Sequence, residues 1–379
     1  MAKIDYDKEF LQTEEDFIQH FQETGVFGFD LAVSNGRGLP IGGCVLMYSA
    51  PGSGKSTLCA DIARKLLQKN EAAGIPYKCL YIDIEGGSKG LALNNGLNKF
   101  VTEEHGRRLL YRRSKCTTWN DIEQMFRDIL NGEEHVKDVK LVIIDSITTI
   151  MSEAQADRKS DINKGDFGTS AKDRYILFNK YLLDLKDKGV SFILIAQQRT
   201  KQGASMFEDQ KKAATADGDE HIVDVILKLS RSGGGNNVET KKVEVMSAVT
   251  GDKDKISEQF FCTITSPTKN RYFAAANAKV PVLVRIGKGI VNRYTIKNML
   301  ETYGYLKVGG SAQKRKITIA PELVDYVDSQ SGRDPFVQEC SLPEANTWLG
   351  FNGELVKDWL KSQGKYTVLR TDETEEVEE

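Results

Sequence analysis

The segment 49–57 combines glycines with a lysine and hydroxyl side chains, a combination that suits phosphate binding. Its sequence, SAPGSGKST, follows the apolar stretch CVLMYS and precedes a stretch with helical periodicity. Gly52 and Gly54 let the backbone turn closely around a phosphate, with amide N–H groups directed inward at a helix N-terminus. In a P-loop, the lysine contacts the β- and γ-phosphates and the next hydroxyl binds Mg²⁺. Lys55 and Ser56 occupy these positions, so the segment predicts an ATP and Mg²⁺ site.

Position 49 departs from the general P-loop pattern, which is G-x-x-x-x-G-K-[ST]. The pattern asks for glycine where this chain has Ser49. The alternative interpretation is a glycine-rich turn that only opens a helix. Under the P-loop interpretation, the residues expected to contact the nucleotide are Ser49, Ala50, Pro51, Gly52, Ser53, Gly54, Lys55, Ser56 and Thr57.

Two further apolar strands end near a carboxylate. LVIIDS (141–146) brings Asp145 to the carboxyl edge of a sheet, where such folds bind ligands, and Asp145 is predicted to hold the Mg²⁺ shell through water. LYIDIEGG (80–87) places Glu85 where it can orient and deprotonate a water molecule near the γ-phosphate. Asp83 is the rival residue, although strand alternation directs it to a different face from its two neighbours. The alternative for Glu85 is a solvated loop acid.

Strand-like and helix-like segments alternate around these motifs. The predicted strands are CVLMYS, KCLYIDIE, VKLVIIDS, VSFILIAQ and IVDVILKLS, and the predicted helices are STLCADIARKLLQKN, DIEQMFRDIL and RYILFNKYLLDLKDKG. Apolar residues at almost every strand position indicate a mostly parallel sheet covered by helices on both faces. The alternation predicts an α/β doubly wound core. From about residue 241, KKVEVMSAV and QFFCTITS follow without helices, and we expect them to add antiparallel strands to one edge.

The patterns divide the chain into four expected parts. Residues 1–27 are polar and acidic, with a helix-like stretch EEDFIQHFQE, and form a short N-terminal arm. Residues 28–290 form the α/β core. Residues 291–366 carry little strand signal and predict a small helical C-terminal appendage. Residues 367–379 end in TDETEEVEE, an acidic tail that we expect to be disordered.

The composition is that of a cytosolic globular protein. Of 379 residues, 40% are hydrophobic, enough for a sizeable core, and no apolar run approaches the roughly 20 residues of a membrane span. The N-terminus lacks a signal-peptide stretch. Six scattered cysteines without C-x-x-C spacing favour reduced thiols over a zinc site. Because the net charge is −2, any nucleic-acid binding must rely on local basic loops.

The order of the motifs resembles the RecA recombinase family. The sequence GLPIGG, a strand, the P-loop, a helix, the strand before Glu85, the strand ending in Asp145–Ser146 and FILIAQQR (192–199) follow one another as in that family, over residues 27–295. A carboxylate at Glu85, between the P-loop and the Asp145 strand, separates RecA-type ATPases from most other P-loop classes. The short arm and acidic tail resemble bacterial RecA and the UvsX-type phage recombinases, which implies a RecA-type ATPase core and an arm for subunit polymerisation.

The resemblance assigns roles to three residues beyond the phosphate site. Gln197 matches the glutamine that senses the γ-phosphate and couples it to the DNA loop behind it, although the preceding position, frequently Asn in the family, is Ala196 here. SPTKNRYF (266–273) resembles a stretch from which two cations reach the ATP of a neighbouring subunit, and Lys269 and Arg271 fit those places. The alternative is a basic turn at a strand end.

The resemblance also implies two DNA-facing loops, at about residues 153–172 and 199–219. Loops of this length in a compact fold are usually functional or disordered, and phosphate neutralisation requires Lys or Arg. Met206 and Phe207 resemble a Met-Phe pair that packs against bases, one residue out of register. The alternative is a surface loop with incidental lysines. The candidate DNA-binding cations are Arg158, Lys159, Lys164, Lys172, Arg199, Lys201, Lys211 and Lys212.

Together these features imply a DNA-dependent ATPase that forms helical filaments on single-stranded DNA and catalyses homologous pairing and strand exchange. The implied partners are single-stranded DNA, homologous duplex DNA, further copies of the chain, and single-stranded-DNA-binding and mediator proteins. The implied cofactors are ATP and Mg²⁺.

Three rival functions remain. A hexameric RecA-fold helicase shares the phosphate site, although 27 residues before the core are too few for its N-terminal domain. A regulatory RecA-like ATPase would bind no DNA, against which the two basic loops argue. A branch-migration protein has a related K-N-R-F stretch but also a four-cysteine zinc module and a protease-like domain, and neither pattern occurs in this sequence.

Overall fold

A large mixed β-sheet with helices on both faces is the central feature of the fold. The computed structural model describes residues 19–85, 96–113, 118–152, 169–200, 211–213, 219–231, 242–246, 253–257, 259–272, 279–285, 288–311, 314–332 and 335–363. The strands are β1 (Phe21–Gln22), β2 (Leu39–Pro40), β3 (Cys44–Ser49), β4 (Lys78–Asp83), β5 (Leu109–Arg113), β6 (Val139–Asp145), β7 (Ser191–Thr200), β8 (Lys211–Ala213), β9 (Val225–Arg231), β10 (Lys242–Met246), β11 (Lys253–Ser257), β12 (Gln259–Thr265), β13 (Val280–Arg285), β14 (Gly289–Ile290), β15 (Leu306–Ser311), β16 (Lys314–Ile319) and β17 (Glu339–Ser341). The helices are α1 (Phe27–Ser34), α2 (Lys55–Ala72), α3 (Trp119–Asn131), α4 (Thr169–Asp187), α5 (Asp219–Ile222), α6 (Asn292–Thr302), α7 (Pro321–Ser331) and α8 (Leu342–Ser362), with 3₁₀ turns at Leu97–Val101 and Glu103–His105.

The sheet is parallel in its larger part, as the alternating pattern predicts. Among the described residues its order is β14-β13-β12-β9-β3-β7-β6-β4-β5, with β8 paired to β7. Strands β5, β4, β6, β7, β3 and β9 run parallel, and β12, β13 and β14 continue the sheet antiparallel beyond β9. The α/β fold class is therefore confirmed, and so is the expected antiparallel extension for QFFCTITS.

Helices cover both faces because the central strands are apolar on both sides. Along β3, Val45 and Met47 join the core under α1, α2 and α6, whereas Leu46 and Tyr48 join the core under α3 and α4. Helix α3 buries Trp119 and three apolar residues at helical spacing, begins with a capping box at Thr118 and ends at a left-handed glycine. No helix among the described residues combines the length and apolarity that a bilayer span requires.

Three expectations about element type are wrong in part. The segment expected to be a helical appendage contains a three-stranded antiparallel sheet, β15-β16-β17, besides α6, α7 and α8. Gly309 and Gly310 interrupt the alternation of apolar and polar residues in β15, so the sequence gives little strand signal there. KKVEVMSAV supplies β10, which pairs with β11 in a separate hairpin rather than with the large sheet. In EEDFIQHFQE, the described residues Phe21–Gln22 form strand β1, which pairs with β2.

The C-terminal helix α8 packs against the start of the described chain. Lys361 Nζ lies 2.9 Å from Glu23 Oε1, and Lys357 Nζ lies 5.4 Å from the ring centroid of Phe27. Beneath them, Asp30 is 4% exposed and accepts hydrogen bonds from the amide and hydroxyl of Thr24. Burial raises the pKa of Asp30 to about 7, although Thr24 and Lys357 act in the opposite direction.

The buried Asp30 predicts a pH-dependent stability. Its pKa is higher in the folded chain than in the unfolded chain. The contribution of Asp30 to the free energy of unfolding is therefore fully present below about pH 4 and is lost as pH rises to about 7. Asp30→Asn keeps an oxygen acceptor for Thr24 without the charge. We expect this variant to gain stability over wild type between these pH values, by a few kcal/mol at most.

Denaturant unfolding at pH 5 and pH 8 measures this difference. Asp325→Asn, a change at an exposed helical carboxylate, is the control and should leave the pH profile unchanged. If the free energy of unfolding of Asp30→Asn changes with pH as that of wild type does, the burial of the Asp30 charge does not destabilise the fold.

Candidate active site

The predicted P-loop lies between a buried strand and a helix. All six residues of β3 are buried, and Ser49 is the last of them. The chain turns at Gly52 (φ 73°) and Gly54 (φ 89°), backbone conformations that favour glycine, and α2 then begins at Lys55. A side chain at Gly54 would also meet the ring of Phe260 at 3.2 Å. The loop therefore has the strand–turn–helix geometry that presents amide N–H groups to a phosphate.

Lys55 folds over this loop. Its Nζ donates to the carbonyl of Ser49 (3.2 Å), the Ser49 hydroxyl (2.9 Å) and the Ala50 carbonyl (3.3 Å). Burial lowers the pKa of Lys55, while Asp145 and Glu85 raise it. Because Ser49 still belongs to β3, its extended backbone tolerates a side chain where the general pattern has glycine. The departure from the pattern thus gives Lys55 an additional acceptor.

Asp145 and Ser56 provide the donor set that Mg²⁺ prefers. Asp145 ends β6, is 2% exposed, and accepts hydrogen bonds from the hydroxyls of Ser56 and Tyr81, the latter at 3.3 Å. Burial raises its pKa to about 6, and the Glu85 charge adds to this effect, whereas the Ser56 hydrogen bond opposes it. A divalent cation would relieve the cost of this buried carboxylate. Ser56 and Asp145 fit Mg²⁺, which would neutralise phosphate charge when bound.

Glu85 lies at the same edge and is held by two donors. Ser146 Oγ donates to Glu85 Oε1 at 2.8 Å, and Gln197 Nε2 donates to the same oxygen at 3.0 Å. Its rival Asp83 is fully buried and accepts a hydrogen bond of 2.6 Å from Tyr111. Of the two carboxylates, Glu85 therefore has the geometry to act on a water molecule beside the P-loop.

One known protein family matches the part of the chain that contains these residues. A family model described as an AAA domain matches residues 35–172. This is a P-loop ATPase family. The matched range includes the P-loop, Glu85 and Asp145, but ends before Gln197. A search among curated proteins gave no match.

Residues 35–172 are thus similar to a P-loop ATPase domain, for which nucleotide binding and hydrolysis are the expected chemistry. In this site, the P-loop amides and Lys55 would hold the phosphates, and Glu85 would orient and deprotonate the attacking water. Sequence patterns did not identify Ser146 and Tyr81 as neighbours of these carboxylates. The only signal for Ser146 is its place directly after Asp145 at a strand end.

Lys269 and Arg271 do not join this site. They flank Asn270, which pairs with Val225 at the start of β9. Because β9 runs parallel to β3, its start lies at the amino edge of the sheet, opposite the P-loop. Strand β3 is six residues long, which separates the two edges by roughly 20 Å. Neither side chain spans that distance, so neither contacts phosphates bound in its own chain.

The candidate DNA-binding residues are only partly within the described structure. Lys172 is exposed on α4, and Arg199 is exposed near the end of β7. Strand β8 pairs with β7 in antiparallel register, with Arg199 opposite Lys212 and Thr200 opposite Lys211. The ends of the second predicted loop thus form a hairpin that starts directly after Gln197. The remaining candidates lie outside the described residues: Arg158, Lys159, Lys164, Lys201, Met206 and Phe207.

Glu85→Gln tests the hydrolytic assignment. Glutamine keeps an oxygen that accepts from Ser146 and Gln197 but does not take a proton from water. We expect the variant to bind ATP with near wild-type affinity and to lose turnover by about 10²–10⁴-fold. Fluorescent-nucleotide titration and phosphate release measure the two quantities separately.

Asp83→Asn, two residues earlier at the end of β4, is the matched control and should keep both binding and turnover. If instead Asp83→Asn abolishes hydrolysis and Glu85→Gln does not, Asp83 rather than Glu85 is the carboxylate that activates water.

Proposed function

We propose that the protein is a DNA strand-exchange recombinase, an ATPase that assembles on single-stranded DNA as a helical filament. The observation that carries the proposal is the hydrogen bond between Gln197 and Glu85. Gln197 lies on β7 directly before the β7–β8 hairpin, on which Arg199 faces Lys212 in the backbone register. Through Gln197, β7 thus links Glu85 to a hairpin with several cations, an arrangement that would let bound ATP influence DNA binding.

The hydrolytic step needs few residues. The P-loop and Lys55 orient the γ-phosphate, and Glu85 accepts a proton from the attacking water. Gln197 donates to whichever acceptor lies nearest, Glu85 or a phosphate oxygen, so its position depends on the bound nucleotide. A shift of Gln197 would be passed along β7 to Arg199 two residues later.

A ring-shaped DNA motor of the helicase type is the second candidate. Lys269 and Arg271 lie about a strand length from their own P-loop, which favours their use on a nucleotide in another subunit. A closed ring satisfies that requirement as well as a filament does. The two candidates therefore share one site and differ in the symmetry of the assembly and in the reaction on DNA.

Electron microscopy with a non-hydrolysable ATP analogue, with and without single-stranded DNA, tests the proposal. We expect open helical filaments on DNA, and pairing of that strand with a homologous duplex in a joint-molecule assay. Closed rings that unwind a forked duplex would favour the motor. ATPase activity that is unchanged by DNA, with no DNA binding, would contradict both.

Lys269 and Arg271 are expected to act across a subunit boundary. Cations from a second subunit can stabilise charge at the γ-phosphate like an arginine finger, an effect worth roughly 10³–10⁵ in rate in the best cases. The double variant Lys269→Ala, Arg271→Ala should bind ATP but fail to hydrolyse it. A mixture with Glu85→Gln contains junctions with an intact carboxylate on one side and intact cations on the other.

Phosphate release from that mixture should recover part of the activity that each variant lacks alone. The control is each variant mixed with itself at the same total concentration. If mixed assembly is confirmed by pull-down and no mixing ratio restores turnover, the cations do not act between subunits.

A further inference from the structure

The segment that carries Lys269 and Arg271, hereafter the cation segment (269–271), is held by a single β-bridge. Asn270 pairs with Val225, and its side-chain amide donates to two carbonyls of α1 at 3.0 and 3.1 Å. The residues on either side of Asn270 make other contacts: Lys269 Nζ donates to the carbonyl of His221 at 3.3 Å, and Arg271 pairs with Asp224. In the K-N-R sequence, the central amide thus anchors the segment to α1 between two cations.

A buried carboxylate, Asp224, binds Arg271 of this segment. It is 2% exposed and accepts hydrogen bonds from three separate parts of the chain. Arg271 Nη1 lies 2.9 Å from Oδ1, and Lys186 Nζ lies 2.5 Å from Oδ2. The backbone amide of Cys44, the first residue of β3, donates to Oδ2 at 2.8 Å. Asp224 thus connects α4, the cation segment and the central strand.

The cluster has more positive than negative charge. Lys186, Lys269 and Arg271 surround the one carboxylate of Asp224, and their mutual influence is visible in Lys269, whose pKa is lowered by burial and by Arg271. The Arg271 side chain remains 54% exposed, although Asp224 takes one of its nitrogens. Part of its planar guanidinium, a group suited to phosphate oxygens, is therefore accessible to solvent.

We infer that Asp224 is a positioning residue, which with Lys186 fixes Arg271 for contact with the terminal phosphates of a nucleoside triphosphate bound by a neighbouring copy of the chain. The inference rests on the proposed action of the cations between subunits. Asp224 sets the direction of the guanidinium, and Lys186 offsets the remaining charge of the carboxylate so that Arg271 is not fully neutralised. Asp224 touches no substrate in its own subunit, since it lies at the amino edge of β3.

Asp224→Asn tests this role because it removes the charge while preserving an acceptor for the Cys44 amide. Asparagine holds the guanidinium less firmly than a carboxylate does. We expect unchanged ATP affinity in dilute, unassembled protein and a roughly hundredfold loss of turnover in the assembled state, the size of effect that a small misplacement of a reacting group causes. Asp187→Asn, at an exposed carboxylate near Lys186, should keep wild-type turnover.

Mixed assemblies separate positioning from folding. Asp224→Asn mixed with Glu85→Gln should regain turnover, because some junctions combine an intact Glu85 with an intact cation cluster. Asp224→Asn mixed with the double variant Lys269→Ala, Arg271→Ala should not, because both changes damage the same side of the junction. A structural defect in Asp224→Asn would block recovery in both mixtures.

Three results would overturn the inference. Wild-type turnover of assembled Asp224→Asn removes the positioning role, and absence of recovery with Glu85→Gln makes Asp224 a folding residue. Both leave the proposed function intact, provided that Glu85→Gln with the Lys269→Ala, Arg271→Ala variant still recovers. Failure of that reference mixture overturns the action of the cations between subunits and the inference together.

Discussion

The parallel register of β3 with its neighbours brings the site residues to one edge of the sheet. Ser49 is the Cα partner of Gln197, and Asp145 is the partner of both Ile195 and Asp83. These backbone hydrogen bonds hold the strand ends within reach of one another, which permits the contacts of Glu85 with Ser146 and Gln197. Because a shift of one residue turns every side chain to the opposite face, the register is fixed by two apolar cores rather than by the site.

Strand β3 also separates the P-loop from the cation cluster around Asp224. Cys44 starts β3 beside Asp224, and Ser49 ends it at the P-loop, so the two charged clusters lie at opposite ends of one rigid element. A cation at the amino edge is of no use to the phosphates of its own chain. If the cations are needed for hydrolysis, turnover depends on a second copy, and monomers are protected from futile ATP consumption.

Sequence patterns predicted the core well because each of its elements has a strong local signal. A buried apolar strand followed by GSGKST predicts both the loop and the helix, and Asp145 is found where an apolar run ends. The three-stranded C-terminal sheet was missed because glycines and lysines in β15 and β16 dilute the alternation of apolar residues. Asp224 was missed for another reason. It stands within an ordinary strand-like run, and only the tertiary fold brings it to Lys186 and Arg271, which are 38 and 47 residues away.

The N-terminal end of the described chain is coupled to the cation segment. The ring of Phe21, in β1, makes an edge contact with Tyr272 at a centroid distance of 5.6 Å, and Arg37 stacks on Phe21 while donating to the Tyr272 carbonyl at 2.7 Å. Tyr272 directly follows Arg271. If, under the proposed function, a neighbouring copy binds the chain before residue 19, it binds close in sequence to β1, whose Phe21 contacts Tyr272. Under the proposed function, assembly would therefore bear on the alignment of Lys269 and Arg271, because three side chains, those of Phe21, Arg37 and Tyr272, join β1 to the residue after Arg271 within one subunit.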